Sequence, residues 1–228
     1  GPCTSSCASA RDRSGAGFVP TGYSARLRRA GRITIRSRCS HDPVRVMVIL
    51  ETERLTLRHL EPADLEPLFA LYRDPEIRRY FPDGTLTLDE TRQEIEWFRN
   101  GHPSHPVLGL WATIERRTGA FVGRCGLLPW SIDGRDEVEL AFLIDKTRWG
   151  HGLATEAARA IVGYAREQLG LTRLICLITP GNDGSVRVAS KVGMTFEREH
   201  TDEYGLCHIY SRSLIETSDA RRPVAPDS

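Results

Sequence analysis

The sequence predicts one α/β domain, and three patterns along the chain lead to that prediction. Runs that alternate apolar and polar residues, typical of half-buried strands, occur in both halves of the chain. Between them lie segments whose apolar residues recur at helical spacing. Over residues 136–169 a strand-like run, a glycine-containing loop and a long helix follow one another directly. Strands and helices therefore alternate within one domain, which we place at residues 47–216.

The first half of this domain predicts a strand, two helices and a hairpin. Arg54–His59 alternates apolar and polar residues and predicts the first strand. The helix predicted at Ala63–Tyr72 has a proline just before it, and Leu88–Arg99 is amphipathic. The next two strands, Val107–Glu115 and Ala120–Trp130, flank a short turn that contains glycine and therefore predict a β-hairpin.

The second half predicts a strand, a glycine loop and the strongest helix of the chain. The strand at Glu137–Ile144 leads into the loop, and the helix at Thr155–Leu169 follows. Its apolar stripe consists of Leu153, Ala157, Ile161, Ala165 and Leu169. The remaining elements are a strand, a helix and two closing strands, at Arg173–Thr179, Ser185–Val192, Thr195–Glu203 and Cys207–Leu214.

The composition excludes several classes of protein to which the chain could belong. The 228 residues suffice for one domain with a sizeable core, and the formal charge of +1 gives no electrostatic reason to expect nucleic-acid binding. No apolar run approaches the length of a membrane span. The six cysteines form no CxxC pair and fit neither a zinc site nor a disulfide framework. We therefore expect reduced thiols in a cytoplasmic protein, with Cys125, Cys176 and Cys207 as small buried hydrophobes.

The two ends of the chain differ from the domain between them. Residues 1–46 are rich in arginine, serine and glycine, contain two acids and show no hydrophobic periodicity. An organelle transit peptide has such a composition, but a mis-assigned start ahead of Met47 fits better, and we expect disorder in either case. Residues 217–228 predict a loose tail.

The loop after the fourth predicted strand carries the most informative motif, Arg-Trp-Gly-His-Gly-Leu-Ala at residues 148–154. Its two glycines allow a tight turn and a close approach of backbone N–H groups to a ligand. The N-terminus of the following helix directs its positive dipole end to the same place. Such a loop predicts a binding site for a phosphate or a pyrophosphate.

Three classes of phosphate-bearing ligand compete for this loop. A nucleoside triphosphate loop would end in Gly-Lys-Ser/Thr, a string that the chain lacks. A dinucleotide loop would place glycine where Thr155 stands, and an acid at the end of the next strand, where Thr179 and Pro180 stand. The third class is the pyrophosphate of coenzyme A.

The segment from Glu139 to Ala157 resembles the GNAT superfamily of N-acetyltransferases. The pyrophosphate loop of that family reads Gln/Arg-x-x-Gly-x-Gly/Ala. Gly152 and Ala154 occupy its last two fixed positions, while Trp149 departs from the first. Trp-Gly-x-Gly followed by Ala-Thr-Glu-Ala resembles the RimJ/RimL branch, which includes ribosomal-protein N-terminal acetyltransferases. Three further motifs extend the resemblance: Glu53–Arg58, Asn182-x-x-Ser185 and Lys191–Met194.

The resemblance covers roughly residues 50–216 and implies a fold and an activity. The implied fold is the GNAT α/β (α+β) fold, a central mixed, mostly antiparallel sheet of about six to seven strands flanked by helices. The implied activity moves an acetyl group from acetyl-CoA to a primary amine by direct attack in a ternary complex, without a metal. The acceptor would be a small-molecule amine or a protein N-terminus. We expect a monomer or homodimer with no nucleic-acid or membrane partner.

The resemblance also implies where the coenzyme binds. The pantetheine arm would thread between the strands before and after the loop, and the backbone N–H groups of residues 150–154 would hold the pyrophosphate. The ring of His151 is expected to face solvent. The expected cofactor-binding residues are Leu140, Ala141, Phe142, Trp149, Gly150, His151, Gly152, Leu153, Ala154, Thr155, Asn182, Ser185 and Lys191.

Glu139 is the first candidate for the general base that removes a proton from the acceptor ammonium. It occupies a position where the family often places a glutamate, on the strand that faces the acceptor. The alternative is an ordinary surface glutamate on an alternating strand. Glu137, Glu203 and His208 are rival bases.

Ser185 is the candidate proton donor to the departing thiolate. Many relatives use a tyrosine four residues further on, where this chain has Ala189. Helix capping is the alternative role for both Ser185 and Asn182. No cysteine or serine lies in an arrangement that would activate it for a covalent acyl-enzyme.

The acceptor pocket is expected to form from the first helices, the loop at 81–85 and the strand at 121–130. Phe81, Trp97 and Trp130 are candidate walls, and the core is the alternative place for each. The function that competes with catalysis is a non-catalytic acyl-CoA-binding sensor or regulatory module, because the loop fits both.

Overall fold

The computed structural model of the chain describes residues 48–215. The expectations for residues 1–46 and 217–228, and for a start at Met47, lie outside the described residues and stay predictions.

An eight-stranded sheet forms the centre of the described part. In space the strands follow the order β1-β2-β3-β4-β5-β6-β8-β7, and β5 and β6 are the one parallel pair within residues 48–215. The predicted fold, a mixed and mostly antiparallel sheet flanked by helices, is confirmed. In chain order the strands are β1 Val48–Glu51, β2 Leu55–His59, β3 Gly109–Glu115, β4 Phe121–Ile132, β5 Arg135–Ile144, β6 Arg173–Ile178, β7 Thr195–Asp202 and β8 Gly205–Ser213.

The first strand is the one that the sequence pattern missed. β1 has the sequence VILE and pairs antiparallel with β2. Four residues without apolar–polar alternation give no period to detect, so the pairing with β2 determines this strand.

Four α-helices cover the sheet: α1 Leu65–Tyr72, α2 Leu88–Phe98, α3 Leu153–Glu167 and α4 Asp183–Lys191. A 3₁₀ turn at Pro62–Asp64 precedes α1, which therefore begins later than predicted. A capping box between Thr87 and Glu90 fixes the start of α2. The start of α3 at Leu153 rather than Thr155 matters most for the site, because it brings the helix N-terminus directly up to the second glycine of the loop.

The helices divide between the two faces of the sheet. α3 and α4 pack on one face, and every residue of the predicted stripe of α3 is at most 4% exposed. α1 and α2 pack on the other face, against alternate residues of β4 and β5 such as Leu128, Ala141 and Leu143. Each buried Leu or Ile contributes roughly 1.5–3 kcal/mol, so two apolar faces hold the central strands in place. Within residues 48–215 no helix combines the length and apolar character needed to cross a membrane.

Candidate active site

The parallel strands β5 and β6 separate at the middle of the sheet. Their pairing register contains a single pair of residues, Glu139 opposite Ile175. After this pair both strands line a cavity of about 230 Å³, which we call the sheet cavity. Its walls include residues 140–142 of β5 and residues 176–178 of β6. The divergence of the strands, which the family resemblance implies, is therefore present in the fold.

The glycine loop at residues 149–152 forms the turn between β5 and α3. Gly150 and Gly152 have φ angles of 79° and 80°, in the left-handed region that side chains disfavour. Gly152 is also the N-cap of α3, so the N–H groups of Leu153, Ala154 and Thr155 lie in the first turn and have no acceptor within the helix. These donors and the helix dipole provide a binding place for an anion.

His151 lies on the outer side of this turn. Its N–H donates to the carbonyl of Arg148 at 3.4 Å, and its side chain is exposed, as predicted for the ring. Trp149 is 48% exposed, and its Nε1 donates to the carbonyl of Ile144 at 2.8 Å. The turn therefore directs Trp149 and the two glycines, but not His151, towards the neighbouring cavity.

That second cavity, the loop groove, has a volume of about 470 Å³ and is bounded by the glycine loop and the first turns of α3 and α4. Most of the predicted cofactor residues line it: Phe142, Trp149, Gly150, Gly152, Leu153, Ala154, Thr155, Asn182, Ser185 and Lys191. Leu140 and Ala141 line the sheet cavity instead. The charged groups along the loop groove are four cations, Arg79, Arg148, Arg187 and Lys191, and one acid, Glu76. This excess of positive charge suits a polyanionic ligand.

Asn182 and Ser185 line both cavities and so lie where the two meet. Asn182 is the N-cap of α4, and its Oδ1 accepts the backbone N–H of Ser185 at 3.2 Å. The capping role proposed for Asn182 is thus present in the structure. Because the backbone of Ser185 makes this bond, its hydroxyl does not act as the cap.

The segment at residues 79–82 also touches both cavities, and the sequence pattern identified only its Phe81. The Tyr80 hydroxyl donates to the carbonyl of Gly181 at 2.8 Å, and Thr179 Oγ1 donates to the carbonyl of Tyr80 at 2.8 Å. These bonds fix the loop after α1 against the loop after β6. No local sequence motif identifies Tyr80, because its hydrogen-bond partners are about a hundred positions away in the sequence.

Glu139 is 6% exposed and lines the sheet cavity, so it is not an ordinary surface glutamate. Its Oε2 accepts the indole N–H of Trp130 at 2.7 Å, which orients the carboxylate. Trp130 itself is buried behind Glu139 and does not form the cavity wall.

The three rival bases lie elsewhere. Glu137 forms an ion pair with Arg173 at 3.0 Å, Glu203 is exposed in a turn, and His208 stands 3.6 Å from a carboxylate oxygen of Glu199. None of the three lines the sheet cavity.

A buried arginine, which the sequence analysis did not single out, also lines the sheet cavity. Arg124 of β4 is 1% exposed, and its Nε donates to the Tyr72 hydroxyl at 2.8 Å. Tyr72 in turn contacts the carboxylate of Glu94, and burial raises the pKa of this tyrosine. The sequence did contain a signal for this buried arginine, because a charged residue stands in the middle of the apolar run 121–130.

Cys176 lines the sheet cavity as a protonated thiol. Burial, and then the charge of Glu139, raise its pKa well above the ordinary value, and its Sγ donates to the carbonyl of Leu140 at 3.1 Å. A thiol of this kind is a poor nucleophile. Among residues 48–215 no three His, Cys, Asp or Glu side chains are grouped to hold a metal ion.

Comparison with known proteins identifies the family. A sequence model described as an acetyltransferase (GNAT) domain matches residues 54–195. YkkB of Bacillus subtilis is 35% identical over 150 residues, which cover 65% of this chain and 86% of YkkB. The FsC-acetyl coenzyme A-N(2)-transacetylase of Aspergillus fumigatus is 31% identical over 168 residues, 71% of each chain.

Among solved structures, the ribosomal L7/L12 alpha-N-protein acetyltransferase RimL, in complex with coenzyme A, superposes with a TM-score of 0.60 at 15% identity. The match covers 73% of this chain and 98% of RimL, and at this identity it shows the fold alone. The family model spans more than half of the chain, and both relatives are more than 30% identical to it. The chain therefore belongs to the GNAT family of acetyltransferases and is an acyltransferase enzyme of the N-acetyltransferase type.

Proposed function

We propose that the protein uses acetyl-CoA to acetylate a primary amine, by direct attack of the amine on the thioester in a ternary complex. The observation that carries the proposal is the meeting of two different cavities at Ser185. One is cationic, with backbone donors of a helix N-terminus, and the other is lined by a buried carboxylate. A donor with a phosphate-bearing tail and an acceptor with an ammonium group would each have a complementary compartment.

In this proposal the loop groove binds the coenzyme. The N–H groups of Gly152, Leu153, Ala154 and Thr155 hold the pyrophosphate, and the four groove cations attract the phosphates. The N–H of His151 takes no part, because it already bonds to Arg148. The pantetheine arm would follow the gap after Glu139 and place the thioester near Ser185. The name of the Aspergillus relative and the CoA complex of RimL support this choice of donor.

The chemistry then needs three proton transfers, two from the acceptor nitrogen and one to the CoA sulfur. Glu139, directly or through one water, takes a proton from the acceptor ammonium, and the neutral nitrogen attacks the thioester carbonyl. Backbone N–H groups on the part of β5 that has left β6 would stabilise the oxyanion. After the attack the nitrogen is positively charged and loses a second proton to solvent. When the C–S bond breaks, the CoA thiolate takes a proton from the Ser185 hydroxyl, which regains one from solvent. The products are the acetamide and free CoA.

Ser185 is the better thiolate donor because Ala189 offers no alternative. Ala189 is fully buried in the core under α4, so this position neither bears a hydroxyl nor faces the cavities. The Asn182-x-x-Ser185 spacing and the Ala-Thr-Glu-Ala run after the loop also support a place in the RimJ/RimL-like branch.

The charges of the sheet cavity favour an acceptor that carries one ammonium group. Its lining contains one acid, Glu139, and two guanidinium groups, Arg79 and Arg124. A polyamine would place several positive charges beside these arginines, whereas an amino acid or a peptide N-terminus carries one. We therefore expect single α-amines to be better acceptors than polyamines or aminoglycosides.

The test is release of CoA thiol from acetyl-CoA in the presence of an amine panel. The panel would contain amino acids, short peptides with free N-termini, a polyamine and an aminoglycoside, and each rate would be corrected for hydrolysis without amine. Transfer to single α-amines with little transfer to polyamines is expected. Tight acetyl-CoA binding without transfer to any amine would instead support the non-catalytic acyl-CoA-binding module.

A further inference from the structure

Arg54 connects the start of the domain to the glycine loop. Its Nη1 donates to the carbonyl of His151 at 2.9 Å, and its Nε and Nη2 both lie 2.6 Å from Oε2 of Glu156. His151 stands between the two glycines with left-handed backbone. One guanidinium therefore bonds to the middle of the turn and to the helix that follows it.

Glu156 is in the first turn of α3, next to the donors proposed for the pyrophosphate. A free carboxylate there would repel a phosphate. Its oxygens are instead engaged on the side of the β1–β2 loop: Oε1 accepts the Thr52 hydroxyl at 2.6 Å and the Arg54 N–H at 2.9 Å. Burial alone would raise the pKa of Glu156, but these bonds and Arg54 lower it, so the group is an anion neutralised by its partner.

Arg54 acts from behind the loop. It does not line the loop groove, and a Cβ added to Gly152 would lie 3.6 Å from its Nη2. We propose that Arg54 is a positioning residue that holds the His151 turn and the Glu156 carboxylate in the arrangement that binds the CoA pyrophosphate. This inference rests on the proposed function of the loop.

The loss of Arg54 should affect coenzyme binding more than folding. Ion pairs with exposed partners contribute little to global stability, and the guanidinium of Arg54 is about half exposed. Losing its charge-assisted hydrogen bond to the loop should weaken CoA binding by about tenfold.

Calorimetric titration with CoA would test this on the full chain, the variants R54Q, R54K and E156Q, and the double variant R54Q/E156Q. Arg116 provides the matched control, because its Nη1 donates to the Thr52 carbonyl at 2.8 Å on the same β1–β2 loop without reaching the glycine loop. We expect R54Q to bind about tenfold more weakly with a nearly unchanged melting temperature. R54K should recover part of the affinity because it keeps the charge. The double variant should be no weaker than R54Q, and R116Q should match the wild type.

A second measurement separates the positioning of the glycine loop from a general loss of activity in the variant. With acetyl-pantetheine, which lacks the pyrophosphate, the kcat/KM of R54Q should equal that of the wild type. Unchanged CoA affinity in R54Q, an equal loss in R116Q, or an equal loss with acetyl-pantetheine would each overturn the inference. If the wild type itself does not bind CoA, the proposed function fails, and this inference fails with it.

Discussion

The loop groove and the sheet cavity adjoin each other but are built in different ways. The backbone N–H donors of the groove all belong to one continuous segment, residues 149–155. The polar wall of the sheet cavity includes Arg124 of β4 and Glu139 of β5, and Arg124 is in turn held by Tyr72 of α1, which contacts Glu94 of α2. A ligand held by backbone needs a short motif, whereas a buried polar wall needs the whole fold to bring its members together.

The two regions also differ in exposure to water. The groove cations lie at the surface, where solvent and salt screen them. Glu139 and Arg124 are 6% and 1% exposed, so their charges act in a medium of lower dielectric constant. Changes in the sheet cavity should therefore alter rates strongly, while changes in the groove should mostly alter coenzyme affinity.

Glu139→Gln should produce the largest effect, a fall in turnover of roughly 10²- to 10³-fold. Glutamine keeps the shape and can still accept the Trp130 N–H, but it cannot take a proton. The loss should be greatest at pH values where the acceptor amine is protonated and should shrink as the pH rises. The pH–rate profile and the CoA affinity, which should barely change, are the measurements.

Glu137→Gln is the matched control, because Glu137 lies on the same strand but is paired with Arg173. The turnover of the Glu137→Gln variant should equal that of the wild type. A wild-type pH–rate profile in Glu139→Gln would remove Glu139 from the mechanism.

Ser185→Ala should slow turnover by about 10²-fold, with little dependence on pH, because water can partly take over thiolate protonation. The cap of α4 is retained, since Asn182 bonds to the backbone N–H of position 185. Ser190→Ala, an exposed position on the same helix, is the control. Equal rates for the two variants would assign Ser185 to structure alone.

Gly152→Val should weaken CoA binding by about tenfold, or about 1.4 kcal/mol. A β-branched residue is strained at the φ of 80° found there, although the added Cβ meets only Arg54 at 3.6 Å. The loop must then shift its N–H groups. Calorimetry should show unchanged affinity for Gly163→Ala, which changes a glycine in the body of α3. A folded Gly152→Val with wild-type affinity would place the coenzyme elsewhere.

The same contrast explains what the sequence could predict. Three of the signals are local patterns: the glycine pair, the apolar stripe of α3 and the Asn-x-x-Ser spacing. From them the sequence predicted residues that line the loop groove, Ser185 among them. Tyr80 and Arg124 could not be assigned, because their partners lie 101 and 52 positions away. Burial of Glu139 likewise depends on β4, Trp130 and the helices of the other face, which no spacing along β5 reveals.

The smallest effect should be that of salt, and it tests the difference between the two regions directly. Raising ionic strength shortens the Debye length from about 10 Å at 0.1 M to about 3 Å at 1 M. Over that range CoA affinity should fall by about threefold, while the KM for a single-ammonium acceptor should change less, because Glu139 and Arg124 of the sheet cavity are buried. Arg187→Gln, which removes one groove cation, should reduce this salt dependence, and Arg159→Gln, an exposed arginine of α3 outside the groove, should not. Equal salt dependence of donor and acceptor would mean that the groove cations do not select the coenzyme, and that its affinity comes from the backbone of the loop.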